Sequence, residues 1–174
     1  MAIRDILTYP DERLRQPCKP VTDFADPGFQ TFVDDLVETM ASGPGAVGIA
    51  APQVGKMVQL LIMDCSVTRR PPKGHHGQVI CVNPEILSWD GMETGREGCL
   101  SLPDYTGNVM RALDLSIQFQ DRHGEERALS LTGFEARVMQ HEMDHLEGRL
   151  FIDRLVSRKA DLFKRKVYQK SRRG

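Results

Sequence analysis

The stretch QHEMDHL at residues 140–146 decides how the rest of the chain is interpreted. It contains the pattern H-E-x-x-H, in which His141 and His145 are four residues apart. On an α-helix this spacing places both side chains on one face, so that two imidazoles can bind one metal ion. Glu142 follows the first histidine and can reach a water on that metal as a general base. The stretch therefore predicts a helix that carries a metal centre, and a chance match on a solvated helix is the alternative.

Signals on both sides of this stretch support the helix. Thr132 and Glu135 form the pattern T-x-x-E, which is typical of a capping box at a helix start. Gly148 is a typical helix end. We predict a helix from Thr132 to about Glu147.

The remaining elements indicate an α+β fold in one domain over residues 1–174. An amphipathic helix is predicted over 28–41, and a last, basic helix over about 153–170. Runs with strand character lie between the first helix and the H-E-x-x-H helix: 58–63, 79–82, 85–89, 113–119 and 127–131. Because strands come first and helices later, we expect small antiparallel or mixed sheets packed around the central H-E-x-x-H helix, plus a C-terminal helix.

Composition favours a soluble protein of ordinary type. The chain has 174 residues, 40% of them hydrophobic and 27% charged. No apolar run approaches the ~20 residues that cross a bilayer, and the first residues do not resemble a signal peptide. We therefore expect a cytoplasmic protein without membrane contact. Its four cysteines are accordingly expected to be reduced.

The positive charge is concentrated at one end. Residues 154–174 carry nine Lys/Arg and one Asp, although the whole chain has a net charge of −1. A solvated helix face explains this pattern, and so does a basic appendage that meets an acidic partner such as RNA. The sequence leaves both interpretations open.

A third metal ligand must come from elsewhere in the chain, because a catalytic site of this kind uses three protein ligands and one open position. The metalloprotease pattern H-E-x-x-H-x-x-G-x-x-H requires His at position 151, where this chain has Phe151. The other histidines lie in loop-like contexts and are expected at the surface: His75, His76 and His123. The remaining candidate is Cys99, in EGCLS at 97–101, although a cysteine there could also be a core residue.

Three segments together resemble the three motifs of peptide deformylases: GIAAPQ at 48–53, EGCLS at 97–101 and QHEMDHL at 140–146. They occur in the order of that family with plausible spacing, and YPDERLR at 9–15 resembles its start. One departure is Ala46, which occupies the first glycine position of the family's opening Gly-x-Gly. Alanine disfavours a positive φ, so the backbone beside the substrate groove is expected to differ if the family's glycine needs that conformation.

The resemblance implies hydrolysis of the N-formyl group from formyl-methionyl peptides, with release of formate. It implies one divalent metal ion, Fe(II) in the cell with Zn(II), Ni(II) or Co(II) as substitutes, held by three ligands: Cys99, His141 and His145. Glu142 is then the acid–base catalyst. The side-chain amide of Gln53 and the backbone N–H of Leu100 are expected to stabilise the oxyanion.

The resemblance also implies an apolar pocket for the methionine side chain beside the metal. Val138 and Phe134 precede His141 by one and two helical turns, and with Val47 they are the pocket candidates. Plain core packing is the alternative for each. The backbone at Val47 and Gly48 could pair with an extended peptide as an added strand.

Three polar residues are candidates for orienting the metal ligands: Glu97, Asp144 and Arg111. A Glu97–Arg111 pair is predicted, with an ordinary surface ion pair as the alternative. In bacterial members of the family a C-terminal helix is thought to dock at the ribosome, and the basic tail of this chain is similar in character.

Two other functions remain open from the sequence. A peptidase that uses H-E-x-x-H is the nearest, but the downstream third ligand that it needs is missing. A non-catalytic, metal-stabilised binding module with the basic tail as its working part is the second. Against it stands Glu142, which a purely structural metal site does not require, together with the lack of an evident fourth ligand.

Overall fold

Six strands and three helices form the part of the chain that the structure, a computed structural model, describes, namely residues 2–165. The helices are α1 (Pro27–Ser42), α2 (Gly133–Leu146) and α3 (Arg158–Asp161). The strands are β1 (Gly48–Ala50), β2 (Leu60–Asp64), β3 (Gln78–Cys99), β4 (Leu102–Gln120), β5 (Glu126–Thr132) and β6 (Leu162–Lys164). The predicted α+β class is confirmed.

All strand pairings are antiparallel, in the order β1-β2-β3-β4-β5, and β6 pairs with β4. The longest element is the β3–β4 hairpin. Its strand β3 contains the two runs predicted over 79–82 and 85–89. The register shifts between Val82 and Glu85, where Asn83 has a φ of 51°. This bulge explains why the sequence pattern broke into two runs.

Helix α2 lies at the centre, as predicted. It packs against β1, β2, β4 and β5, and Ala136 and Met139 are fully buried in one hydrophobic cluster with residues of these strands. Helix α1 packs in a second hydrophobic cluster together with Ile49, Leu60 and Ile62. None of the helices within residues 2–165 has the length and apolar character needed to span a bilayer. The arrangement brings one buried face of α2 toward the ends of β1 and β3.

The start of α2 was predicted at the correct residue for a reason that proved wrong. Thr132 is the N-cap, but its side chain caps no backbone N–H. Its Oγ1 donates to Asp114 Oδ1 at 2.6 Å, because β5 pairs with β4 at this point. Glu135 accepts a hydrogen bond from the backbone N–H of His76 at 2.9 Å. Tertiary partners therefore replace the capping box.

The predicted helix over 153–170 is wrong in its described part. Residues 151–154 form a 3₁₀ turn, α3 has four residues, and Leu162–Lys164 is strand β6. The apolar residues of this segment do not form one helical face: Leu155 and Leu162 pack on a cluster with Phe151, whereas Val156 is 89% exposed. The open edge of β4 at 105–107 offers backbone partners to 162–164, and pairing there outweighs helix propensity. Residues 166–170 of the prediction lie outside the described residues.

Candidate metal centre

Cys99, His141 and His145 come together as a group that fits one metal ion. One ligand atom from each residue lies within 4.8 Å of the other two, and Cys99 Sγ is 3.4 Å from His145 Nε2. Both histidines project from the same face of α2, and Cys99 stands at the end of β3, where the register shifts after Gly98. All three are buried. A thiolate with two imidazoles suits a first-row transition metal such as iron or zinc.

Glu97 orients His141 for metal binding. Its Oε1 lies 2.7 Å from His141 Nδ1, and its carboxylate accepts two hydrogen bonds of 2.9 Å from Arg111. Burial by itself raises the pKa of Glu97, but hydrogen bonds from His141 and Arg111 outweigh it and hold that pKa well below its usual range. The ionised carboxylate accepts the Nδ1–H of His141, which leaves Nε2 with its lone pair for a metal.

The predicted Glu97–Arg111 pair is therefore present, and it is buried rather than at the surface. Arg111 also donates from Nη1 to Asp144 Oδ2 at 2.6 Å. Arg154, from the 3₁₀ turn after α2, donates to Asp144 Oδ1 at 2.7 Å. Asp144 thus reaches the metal ligands through Arg111 and not by direct contact. The network ties α2 to β3 and β4.

Arg137 belongs to the same network and was missed by the sequence analysis. Its Nη1 donates to Glu97 Oε2 and to the carbonyl of Val109, both at 2.8 Å, and its Nη2 donates to the carbonyl of Glu93 at 2.7 Å. Gly95 makes room for it, since a Cβ there would lie 2.9 Å from Arg137 Cζ. The available signal was a charged residue one turn before His141 on a helix face otherwise expected to be buried.

Glu142 has a free carboxylate oxygen at the wall of the cavity. Its Oε2 is buried and has no hydrogen-bond partner among the described residues. Burial is the main cause that raises the pKa of Glu142 to about 7. A carboxyl group with this pKa can both take up and release a proton near neutral pH.

Gln53 is fixed beside Cys99 in the 3₁₀ turn Ala51–Val54 that follows β1. Its Oε1 accepts from the backbone N–H of Ala50 at 3.0 Å, which determines the orientation of the amide. Its Nε2 donates to Ser101 Oγ at 3.1 Å and points at Cys99 Sγ, 3.6 Å away. The amide donor therefore faces the metal group.

A cavity of about 320 Å³ opens next to the metal group. It is lined by ten residues that the sequence analysis assigned to the site: Val47, Gly48, Gln53, Glu97, Cys99, Leu100, Phe134, Val138, His141 and Glu142. His145 lies behind this wall, in contact with Cys99. Phe134 is 42% exposed, so it stands at the rim. Other lining residues were not predicted, among them Arg96, Arg137 and Arg165.

Ala46 does not strain the cavity wall. Among the described residues other than glycine, only Asn83 has a positive φ, whereas Gly45 has a φ of 67°. The left-handed turn thus falls on the glycine next to Ala46, where no side chain opposes it. The departure from Gly-x-Gly therefore costs no backbone strain here.

Comparisons with known proteins agree over nearly the whole chain. The family model described as polypeptide deformylase matches residues 3–161. A protein of Vibrio vulnificus (strain YJ016) named peptide deformylase 1 is 44% identical over 167 residues, which are 96% of this chain and 95% of that protein.

Solved structures give the same result. A peptide deformylase from Legionella pneumophila has a TM-score of 0.81 and 40% identity, covering 91% of this chain and 89% of its own. A peptide deformylase from Synechococcus elongatus, in complex with actinonin, has a TM-score of 0.80 and 34% identity, covering 90% and 80%.

Proposed function

The chain belongs to the polypeptide deformylase family, and on that premise we propose that it hydrolyses the N-formyl group of formyl-methionyl peptides and releases formate. The observation that carries the proposal is the metal group, with ligand atoms within 4.8 Å of one another, beside the unpartnered Oε2 of Glu142. A non-catalytic metal module needs neither a buried carboxylate of this kind nor an open cavity. The missing downstream ligand and the family membership together disfavour a peptidase.

We propose that one divalent ion binds to Cys99, His141 and His145, with Fe(II) as the ion in the cell and Zn(II), Ni(II) or Co(II) as substitutes. The donor set and the ionised Glu97 behind His141 support a first-row transition metal, and the family resemblance favours Fe(II) among them. When bound, such an ion lowers the pKa of a water toward ~7 and polarises the formyl oxygen.

Glu142 is the proposed proton carrier. Its carboxylate accepts a proton from the water that attacks the formyl carbon, and the resulting carboxylic acid gives that proton to the methionine nitrogen as the C–N bond breaks. Formate and a free amine are the products. The pKa of about 7 that burial produces suits both halves of this transfer.

The negative charge that develops on the formyl oxygen needs donors. We assign this role to the Nε2–H of Gln53, which already faces Cys99, and to the backbone N–H of Leu100 at the cavity wall. Loss of one such donor typically raises the barrier by about 2.7–4 kcal/mol.

Two open strand edges favour binding of an extended peptide. Within residues 2–165, strand β1 pairs only with β2 and residues 95–99 of β3 pair only with β4, so both leave an edge toward the cavity. A substrate that pairs with these edges would be recognised mostly through hydrogen bonds to its backbone. Its methionine side chain would lie against Val47, Val138 and Phe134.

The test is formate release from a formyl-methionyl tripeptide by protein purified without oxygen and loaded with Fe(II) or Ni(II). Glu142→Ala should abolish release while the metal content per protein stays unchanged. Glu147→Ala, an exposed carboxylate outside the cavity, is the matched control and should keep wild-type activity. A folded, metal-bearing wild-type protein that releases no formate would refute the proposal.

We also propose that the enzyme works in the cytoplasm and docks at the ribosome through its basic C-terminal residues. Residues 166–174, outside the described part, carry four Lys/Arg and no acidic residue. Removing them should weaken salt-dependent ribosome binding, because fewer phosphates are neutralised. Activity on small peptides should persist, since β6 is retained. Unchanged ribosome affinity would contradict the docking.

A further inference from the structure

We propose that Arg96 and Arg165 form a carboxylate-binding site at the mouth of the cavity, which favours substrates with an acidic side chain shortly after the formyl-methionine. The inference rests on the proposed function and deepens it, because it names a substrate class for the same cavity. Both arginines line that cavity and both are exposed.

Arg96 is held in place by neutral partners. Its Nε donates to Asn108 Oδ1 at 2.9 Å and its Nη1 to Thr106 Oγ1 at 3.3 Å, both across the β3–β4 pairing. Its Cζ lies 3.9 Å from the centre of the Phe163 ring on β6. These contacts fix the guanidinium without neutralising its charge, so little side-chain freedom is lost when a carboxylate binds.

Arg165 is positioned by strand β6. Its backbone N–H donates to the carbonyl of Asp104 at 2.8 Å, which continues the pairing of β6 with β4. Its guanidinium lies over Gly98, in space that a Cβ on that residue would fill. Gly98 therefore lets a second positive charge lie directly against the strand that ends in Cys99. The position of Arg165 over Gly98 depends on the strand pairing of β6 with β4, which a helix over residues 162–165 would not make.

No carboxylate of the described residues neutralises the charge of Arg96 or Arg165. Within residues 2–165, neither Arg96 nor Arg165 has a carboxylate oxygen within 4.0 Å, although Arg137 in the same cavity pairs with Glu97. The other acidic group of the lining, Glu142, is buried, whereas both arginines are exposed. The mouth of the cavity is therefore cationic, and guanidinium groups bind carboxylates through paired N–H donors.

The distance between Arg96 and Cys99 along β3 indicates which substrate residue the two arginines contact. Arg96 precedes Cys99 by three residues, and a strand rises by roughly 3.3 Å per residue, which gives about 10 Å between them. A peptide that runs beside β3 from the metal group covers this distance in about two to three residues. The acidic side chain should therefore be at the second or third position after the formyl-methionine.

The experiment compares two matched pairs of amidated peptides: formyl-Met-Ala-Asp-Ala with formyl-Met-Ala-Asn-Ala, and formyl-Met-Ala-Ala-Asp with formyl-Met-Ala-Ala-Asn, in which the acidic residue lies one position later. Wild-type enzyme should prefer Asp by kcat/KM at low salt, at one of the two positions. Arg96→Gln and Arg165→Gln should each reduce that preference by roughly two- to five-fold, as expected for an exposed charge pair. Arg70→Gln, in an exposed loop outside the cavity, removes the same charge and should leave the preference unchanged.

A charge reversal keeps the test decisive if a variant loses activity for other reasons. Arg96→Glu should shift the preference from Asp toward Lys at the same peptide position, a change that general damage would not produce. An Asp/Asn ratio equal in wild type and in both glutamine variants would overturn the inference. No formate from any of the peptides would instead reject the proposed function.

Discussion

Replacing Gly48 with alanine tests the placement of Glu142 with a single methyl group. Gly48 opens β1, and a Cβ built on it lies 2.6 Å from Glu142 Oε1 and 2.9 Å from its Cγ. Ordinary contacts begin at about 3.4 Å, so the carboxylate must retreat by about 0.8 Å. The three nearest atoms that the new methyl group would meet all belong to Glu142, so the base is the group that must move first.

The expected loss follows from this displacement. A misplacement of about 1 Å in a reacting group costs on the order of 100-fold in rate. We therefore expect Gly48→Ala to lower kcat for formate release by about 100-fold, with KM much less affected. Metal content and thermal unfolding, measured on the same samples, should remain close to wild type.

Gly28→Ala provides the control for this prediction. Gly28 lies in the first turn of α1, and a Cβ there comes no closer than 3.3 Å to the Asp26 side chain. This variant should keep full activity. A Gly48→Ala protein that holds its metal and retains kcat within a few-fold of wild type would refute the proposed geometry of the base.

Three further predictions concern the surroundings of the metal group. Arg137→Leu should lower the free energy of unfolding by about 3 kcal/mol in urea titrations, because it leaves Glu97 buried with one partner fewer; a loss below about 1 kcal/mol would contradict this. In native metal-free protein one thiol, Cys99, should react with a disulfide reagent, none should react after metal loading, and four should react in denaturant. The other cysteines are protected because burial raises their pKa, for Cys65 to about 12; two or more reactive thiols in the native state would be inconsistent with this. The pKa of Glu97 is lowered on folding. The contribution of Glu97 to the free energy of unfolding is therefore complete above its unfolded pKa of about 4.3, and it is lost as the pH falls toward the folded pKa. The stability advantage of wild type over Glu97→Gln should thus shrink by about 1.4 kcal/mol per pH unit below pH ~4.3, and a constant difference would show that Glu97 is not ionised in the folded state.

The features that the sequence predicted well are those set by local pattern. Helix α2 and the facing of His141 and His145 follow from the four-residue spacing of an α-helix, and Cys99 was found because two histidines leave a metal site incomplete. The runs of strand character located β2, β3, β4 and β5, but not the three-residue β1. The full length of β3 was missed, because the bulge at Asn83 interrupts the pattern while the backbone continues to pair.

The features that were missed depend on distant parts of the chain. Residues 162–164 form a strand because the edge of β4 is open to them, which no local pattern reveals. Arg137 has a role only because Glu97, Glu93 and Val109 come within reach when the hairpin closes on α2. Sequence spacing predicts which residues share a helix face, but the partners of a buried charge are decided by the packing of separate elements.

The metal group joins the end of the β3–β4 hairpin to the central helix, two elements that are distant in the sequence. An ion bound there acts as a reversible cross-link between them. A ligand that binds only the folded chain adds about 2.7 kcal/mol of stability at a concentration 100 times its Kd. Resistance to unfolding should therefore follow the supply of the metal as well as the sequence. Oxidation of the Cys99 thiolate would remove the catalyst and the cross-link in one event.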